Sequence, residues 1–261
     1  MLLLPGHSAG LNTRPNYTKT QGHDTMTNEL WPSGPRFIDA KGVFRLGTDS
    51  VLLAHFIKPK RVKTRAIDLG CGAGIISVLL AWDNQSISID GVEIDPRAAQ
   101  LAVKNAQLSG LSGQIRIIEG DLRNHRELLT AGAYDLCVCN PPYYAQGRGK
   151  RSENLSAARG EETCSLFDVC RAAGYLTRWG GSFALVHKPE RLSEIFGALS
   201  AHGLEPKRMR FVQHMSASPP SLVLIESRRG GNPSLTVEAP LILANSDGTD
   251  SDEVKVIYRR D

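Results

Sequence analysis

The chain has 261 residues, which suits one large domain with extensions, and its 41% hydrophobic and 22% charged residues describe a globular protein with a real core rather than a disordered or fibrous chain. No apolar run approaches the roughly 20 residues of a membrane-spanning helix, and the opening Met1–Pro5 run is too short for a signal-peptide core, so a cytoplasmic location away from membranes is expected. A net charge of +4 permits an anionic partner such as RNA without demanding one.

Residues 1–30 are rich in Gly, Pro, Thr, Asn and His with no apolar period, and read as a disordered tail. In residues 31–64, Phe37, Ile38, Val43 and Phe44 flank Lys41–Gly42 as in a short hairpin, and Thr48 or Asp49 is placed to cap a helix through "SVLLAHFI". From residue 65 to 230, strand-like and helical runs alternate. "RAIDLG", "SISIDGVEI", "IRIIEGD", "YDLCVCN" and "SFALVHK" read as strands. "GIISVLLAW", "PRAAQLAVKNAQLSG", "LFDVCRAAGYLTRW" and "RLSEIFGALSAHG" read as helices. Such alternation predicts an α/β fold with a mostly parallel sheet and helices on both faces. "KRMRFVQH" and "SLVLIESR" follow with no helix between them, so they are expected to pair as a hairpin that gives the sheet one antiparallel strand. Residues 231–261 read as an extension packed on this core: a strand, an acidic turn and a short helix. The five cysteines contain no C-x-x-C pair, so no metal is expected. Cys137 and Cys139, two apart on a strand, should share one buried face.

In open α/β sheets, ligands bind beyond the carboxyl ends of the strands. The first strand ends in "DLGCGAG", where Gly70, Gly72 and Gly74 follow Asp68 at spacings of two. These glycines permit a tight strand-to-helix turn and close backbone approach. Their G-x-G-x-G spacing, with Ile75 at the place a third dinucleotide glycine would hold, speaks against a pyrophosphate cradle, and a P-loop Lys is missing. The second strand ends at Glu93, 19 residues past Gly74, where a carboxylate can accept both hydroxyls of a ribose. The third ends at Asp121, which can accept from an adenine amine beside the Leu122 backbone or cap a short helix; the two roles are compatible. Together these ends describe a nucleoside pocket with no phosphate loop, and S-adenosylmethionine, leaving as S-adenosylhomocysteine, fits it best. Through these motifs residues 40–230 resemble the Rossmann-like class I methyltransferases, which implies a seven-stranded sheet.

The fourth strand ends in Asn140, Pro141, Pro142, Tyr143 and Tyr144. Paired prolines lack N–H groups but keep rigidly placed carbonyls, and Asn140 adds a side-chain acceptor. Two such acceptors can hold both protons of a planar amine, aim its lone pair at a sulfonium methyl and receive the positive charge that grows during transfer. Tyr143 offers a stacking face, with Tyr144 as wall. "NPPY" resembles the acceptor motif of enzymes that methylate exocyclic amines of adenine or guanine, or a glutamine amide. The flanks "FRLGTDSVLLAHF", "ARGEE", "FALVHKPERLSEI" and "HGLEPKRMRFV" are similar to the bacterial tRNA-Val adenine-N6 methyltransferase family. That resemblance implies methylation of the adenine 3′ of the anticodon in a valine tRNA, and places Thr48 over the methionine part of the cofactor. Gly160 departs from the polar residue common in that family. Arg148, Lys150 and Arg151 follow the motif as candidate RNA contacts, with further basic patches at Lys58–Thr64 and Arg228–Arg229. Rival readings are a ribosomal RNA base methyltransferase, a protein glutamine methyltransferase and a non-catalytic RNA-binding module. The protein substrate is disfavoured because no multi-helix domain precedes the glycine motif.

Overall fold

The computed structural model describes residues 27–38, 47–59, 63–143 and 164–260. A two-stranded antiparallel ribbon opens the described chain: β1 (Thr27–Glu29) pairs with β2 (Arg36–Ile38), Thr27 opposite Ile38. The ribbon corrects one expectation. Composition assigns residues 27–30 to the tail, yet Thr27–Glu29 form a strand and Leu30 is buried. The turn of this ribbon falls between Leu30 and Pro35, closed by Gly34 N–H donating to Trp31 O at 2.9 Å. The hairpin expected around Lys41–Gly42, with Val43 and Phe44 on its second arm, lies outside the described residues.

The main sheet holds β3 (Thr64–Leu69), β4 (Ile87–Glu93), β5 (Ile115–Glu119), β6 (Tyr134–Cys139), β7 (Thr177–His187), β8 (Leu204–Gln213), β9 (Pro220–Arg229), β10 (Thr236–Val237) and β11 (Leu241–Ile242). Its order is β5-β4-β3-β6-β7-β9-β8-β10, with β11 also on β8. Only β9 runs against its neighbours, pairing Leu185 with Ile225 on one side and Arg210 with Leu224 on the other. The seven long strands are the expected α/β, Rossmann-like sheet, and the C-terminal segment lengthens it with two two-residue strands parallel to β8. The chain leaves β3 toward β4 and β5, then returns to β6 on β3's other side. The resulting switch point, between β3 and β6, is where open α/β sheets form ligand crevices.

Helices α1 (Thr48–Phe56), α2 (Ile75–Asp83), α3 (Pro96–Leu108) and α7 (Asp252–Ile257) bury side chains into the core on one face. Helices α5 (Leu166–Leu176) and α6 (Leu192–Ala201) cover the other, and a single turn, α4 (His125–Leu128), follows β5. Strand periodicity divides β6 between the two cores. Leu136 and Val138 face the first, while Cys137 and Cys139 face the second as free, buried thiols. Helix α5 stops at Leu176, three residues before the expected Trp179. Thr177 Oγ1 donates to Ala173 O at 2.7 Å, its backbone pairs opposite Tyr134, and β7 has begun.

Candidate active site

Five loops meet at the carboxyl ends of the parallel strands. After β3, Gly70, Gly72 and Gly74 all take left-handed φ (+69°, +54° and +77°), a region that favours glycine. Gly74 also lies against α3, where a Cβ would stand 3.0 Å from the Ala102 Cβ. The turn is braced from two sides. Glu93, at the end of β4, accepts from Gly72 N–H at 2.8 Å and from Asp95 N–H at 2.9 Å. The fully buried Asn105 of α3 donates to Ala73 O at 2.9 Å and accepts from Ile38 N–H at 2.9 Å, tying the ribbon to the glycine turn. No sequence signal marked Asn105, since a single Asn within an amphipathic helix reads as surface. Asp95 is the N-cap of α3, accepting from Arg97 N–H.

Asp68 is buried on β3, with Oδ2 accepting from Ser77 Oγ at 2.8 Å and Oδ1 without a hydrogen-bond partner. Burial raises its carboxyl to about 7, above the ordinary 3.8. The folded chain therefore holds an extra proton between those values, and Asp68 lowers stability progressively as pH rises from about 4 to about 7. Asp68→Asn removes this dependence. In denaturant titrations, the variant should gain on the wild type between pH 5 and pH 8; a gap that stays constant across the interval would contradict the assignment.

Asp121, after β5, is the N-cap of the 3-10 turn Leu122–Asn124 and grips Arg123 through both oxygens, at 2.6 Å for Nη2. The Arg123 hydrogen bonds hold its carboxyl below the usual range. Leu122 is buried beneath.

At the end of β6, Cys139 Sγ donates to Leu69 O at 3.0 Å, which sets Asn140 directly beside the glycine turn. The Asn140 carboxamide lies 3.0 Å from both the buried Ser50 Oγ and the Tyr143 hydroxyl. That hydroxyl also donates to Asp49, and burial together with the Asp49 charge pushes the phenol well above its ordinary range. The ring meets His187 edge-on at 5.4 Å and the Lys188 ammonium at 5.2 Å, while Arg191 donates to Tyr143 O at 3.2 Å. Burial and the neighbouring Arg191 lower His187 to about 4, so this imidazole is neutral near pH 7.

The first turn of α1 departs from the expected capping. Gly47 is the N-cap and has no side chain to cap with, while Thr48 and Asp49 fall inside the helix, where Asp49 accepts from Tyr143 and Thr48 is hydrogen-bonded to Tyr258, just after α7. Asp49, Ser50, His187, Lys188 and Arg191 were not singled out as site residues, and only their placement in space brings them to the NPPY segment. Arg148, Lys150, Arg151, Tyr144 and Gly160 lie outside the described residues. The other two basic patches do converge: Lys58 and Arg228 line a cavity of about 200 Å³ with Arg178, Asp135 and Glu226. That cavity sits at the amino ends of β3 and β6, at the opposite end of the sheet from Asn140. Among the described residues no helix is long and apolar enough to cross a membrane, and no cluster of His, Cys, Asp or Glu is arranged to hold a metal.

A glycine turn at a switch point, an acidic residue after the next strand and an NPPY segment beside them define a class I methyltransferase. The methyltransferase small domain model matches residues 35–159. A tRNA1(Val) (adenine(37)-N6)-methyltransferase of Dickeya chrysanthemi is 33% identical over 221 residues, covering 82% of this chain and 86% of that one. Its counterpart in Porphyromonas gingivalis is 31% identical, covering 73% and 77%. The fold is shared with the crystal structure of Atu636 from Agrobacterium tumefaciens, described as a predicted O-methyltransferase, at a TM-score of 0.68, 21% identity, and coverage of 81% and 96%. The chain belongs to the tRNA1(Val) (adenine(37)-N6)-methyltransferase family and is an S-adenosylmethionine-dependent methyltransferase.

Proposed function

We propose that the protein transfers a methyl group from S-adenosylmethionine to the exocyclic N6 amine of the adenine 3′ of the anticodon in a valine tRNA. The observation that supports this reading is the Cys139–Leu69 hydrogen bond, made just before the NPPY segment and the glycine turn on neighbouring strands. The names of the relatives support this choice of substrate.

The residues present fit the cofactor. Asp68 Oδ1 is a buried acceptor still without a partner, suited to the ammonium of the methionine tail. The Gly70–Gly74 turn carries no side chain at its three left-handed positions, so backbone can approach that tail. Glu93, held at both oxygens by backbone N–H groups, keeps further lone pairs for the ribose hydroxyls. Asp121 and Leu122 flank the adenine, and Thr48 joins the methionine side. When bound, the cofactor supplies an electrophilic methyl.

The chain's own work is on the acceptor. Asn140 Oδ1 and the Pro141 carbonyl accept the two N6 protons, so the amine turns its lone pair toward the donor. Pro142 keeps this backbone rigid, and Tyr143 packs the base. An adenine amine is a weak nucleophile, so positioning outweighs base catalysis, and the neutral His187 adds no charge of its own against the Tyr143 ring. Arg148, Lys150 and Arg151 are proposed to hold RNA phosphates.

Purified protein incubated with labelled S-adenosylmethionine and, separately, total tRNA, ribosomal RNA or release factor should label tRNA. Nucleoside mass spectrometry should then find N6-methyladenosine. Label confined to ribosomal RNA or to protein would replace this reading with one of its rivals.

A further inference from the structure

We infer that Arg191 is a positioning residue for methyl transfer: its guanidinium holds the Tyr143 carbonyl and so fixes the main chain of the NPPY segment in place. The inference rests on the acceptor role proposed for that segment.

The segment has little means to hold its own backbone. Strand β6 ends at Cys139, opposite Leu185, and residues 140–143 belong to no strand or helix. Pro141 and Pro142 have no N–H to donate, so their carbonyls remain as acceptors while the usual backbone ties are missing. Side chains take over that work. The Tyr143 hydroxyl is fastened to Asp49 on α1 and lies 3.0 Å from the Asn140 carboxamide. Among the described residues, the main chain of residues 141–143 is tied by Arg191, whose Nη1 donates to Tyr143 O at 3.2 Å.

Arg191 is itself anchored. It ends the 3-10 turn Pro189–Arg191, with its N–H donating to Lys188 O at 3.2 Å. Its Nε and Nη2 donate to the two oxygens of Glu194 at 2.9 and 2.6 Å, the paired geometry in which a planar guanidinium meets a carboxylate. That fork fixes the plane of the group and leaves Nη1 for Tyr143 O. Glu194 lies in the first turn of α6, whose Ile195 and Leu199 are fully buried in the second core. The Arg191 side chain is only 14% exposed. The place of Tyr143 O is thereby set from the core, through α6.

Tyr143 is thus held at two ends by different elements. Its hydroxyl is held by α1, packed on one face of the sheet, and its carbonyl by the connection from β7 to α6, on the other. The Pro141 carbonyl, proposed to accept an N6 proton, lies two residues upstream of that second tie. Without Arg191 the carbonyl end is released while the hydroxyl end stays, and the ψ angles of the two prolines are free to shift. A misplacement of ~1 Å at a reacting group costs ~100-fold in rate. Lysine is no substitute, because a single ammonium lacks the fork that grips Glu194 and reaches Tyr143 O at once.

The test compares wild type, Arg191→Ala, Arg191→Lys and Glu194→Gln. Methyl transfer to tRNA is followed as kcat and KM, with S-adenosylhomocysteine affinity from calorimetry and a thermal melt for folding. Arg191→Ala should lower kcat by ~100-fold, with KM for tRNA and cofactor affinity each within ~3-fold of wild type. Arg191→Lys keeps the charge and should still lose most of that kcat. Glu194→Gln keeps Arg191 but loosens its fork, so it should fall between wild type and Arg191→Lys; these two variants carry the test if Arg191→Ala does not fold. A raised KM with kcat intact would make Arg191 an RNA phosphate contact and overturn the inference. An Arg191→Lys enzyme as fast as wild type would overturn it too, as would cofactor affinity that falls together with kcat, the mark of a general packing defect. In each of these cases wild-type transfer to tRNA leaves the function standing. A wild-type enzyme that leaves tRNA unlabelled overturns the function itself, and the inference with it.

Discussion

Asn140→Ala is expected to abolish methyl transfer, lowering kcat by ~1,000-fold or more, while cofactor affinity stays nearly unchanged. The reason is geometric. In the proposed reaction Asn140 supplies one of two acceptors aimed at the amine that becomes positive as the new C–N bond forms, and that charge exists fully only near the transition state. Its cofactor-side neighbours, Gly72 and Glu93, are held by their own hydrogen bonds and do not depend on the Asn140 side chain. The substitution also leaves Ser50 and Tyr143 without their shared partner, a stability cost of ~1–3 kcal/mol. A thermal melt taken alongside separates that loss from the catalytic one. Single-turnover transfer with saturating cofactor is the decisive measurement, and an Asn140→Ala enzyme that still transfers at a tenth of the wild-type rate would remove the acceptor role.

Much of this site was legible because its markers sit where strands end. Apolar runs broken at Gly70, Glu93, Asp121 and Asn140 could be read in order, and the parallel sheet then had to bring those ends to one side. The antiparallel strand was equally legible, since nothing helical lies between residues 213 and 220. What pairing at a distance decides was not. Asp49 and Thr48 read as helix caps because Ser, Thr, Asp and Asn favour that position locally; the fold instead spends both side chains on tyrosines far along the chain, Tyr143 and Tyr258. The basic runs containing Lys58 and Arg228 looked like RNA contacts, yet they line a cavity at the far end of the sheet from Asn140. Charge counts have no direction, whereas a strand end does. The first strand of the ribbon was missed for a related reason: composition read residues 27–30 as tail, and only the pairing of Thr27 with Ile38 makes a strand there.

Glu93→Ala should weaken S-adenosylmethionine binding by ~100-fold or more, about 3 kcal/mol, corresponding to two hydroxyl hydrogen bonds at the low end of the range for a charged acceptor. The structure adds a second source of loss. Glu93 binds Gly72 N–H and Asp95 N–H, so its carboxylate also holds the glycine turn against the start of α3. Removing it frees Gly72, whose φ of +54° is kept by this turn, and loosens the surface on which the methionine tail is proposed to lie. Glu93→Gln separates the two contributions. One amide oxygen can still accept a backbone N–H, whereas the amide nitrogen is a donor facing the other backbone N–H and has no lone pair for a ribose hydroxyl. Gln should therefore fall between wild type and Ala. Calorimetry with S-adenosylhomocysteine reads this without any RNA present, so the outcome is independent of which base is methylated. Equal affinities in all three proteins would show that the ribose lies elsewhere, because neither the hydroxyl bonds nor the brace on Gly72 would then have contributed to binding.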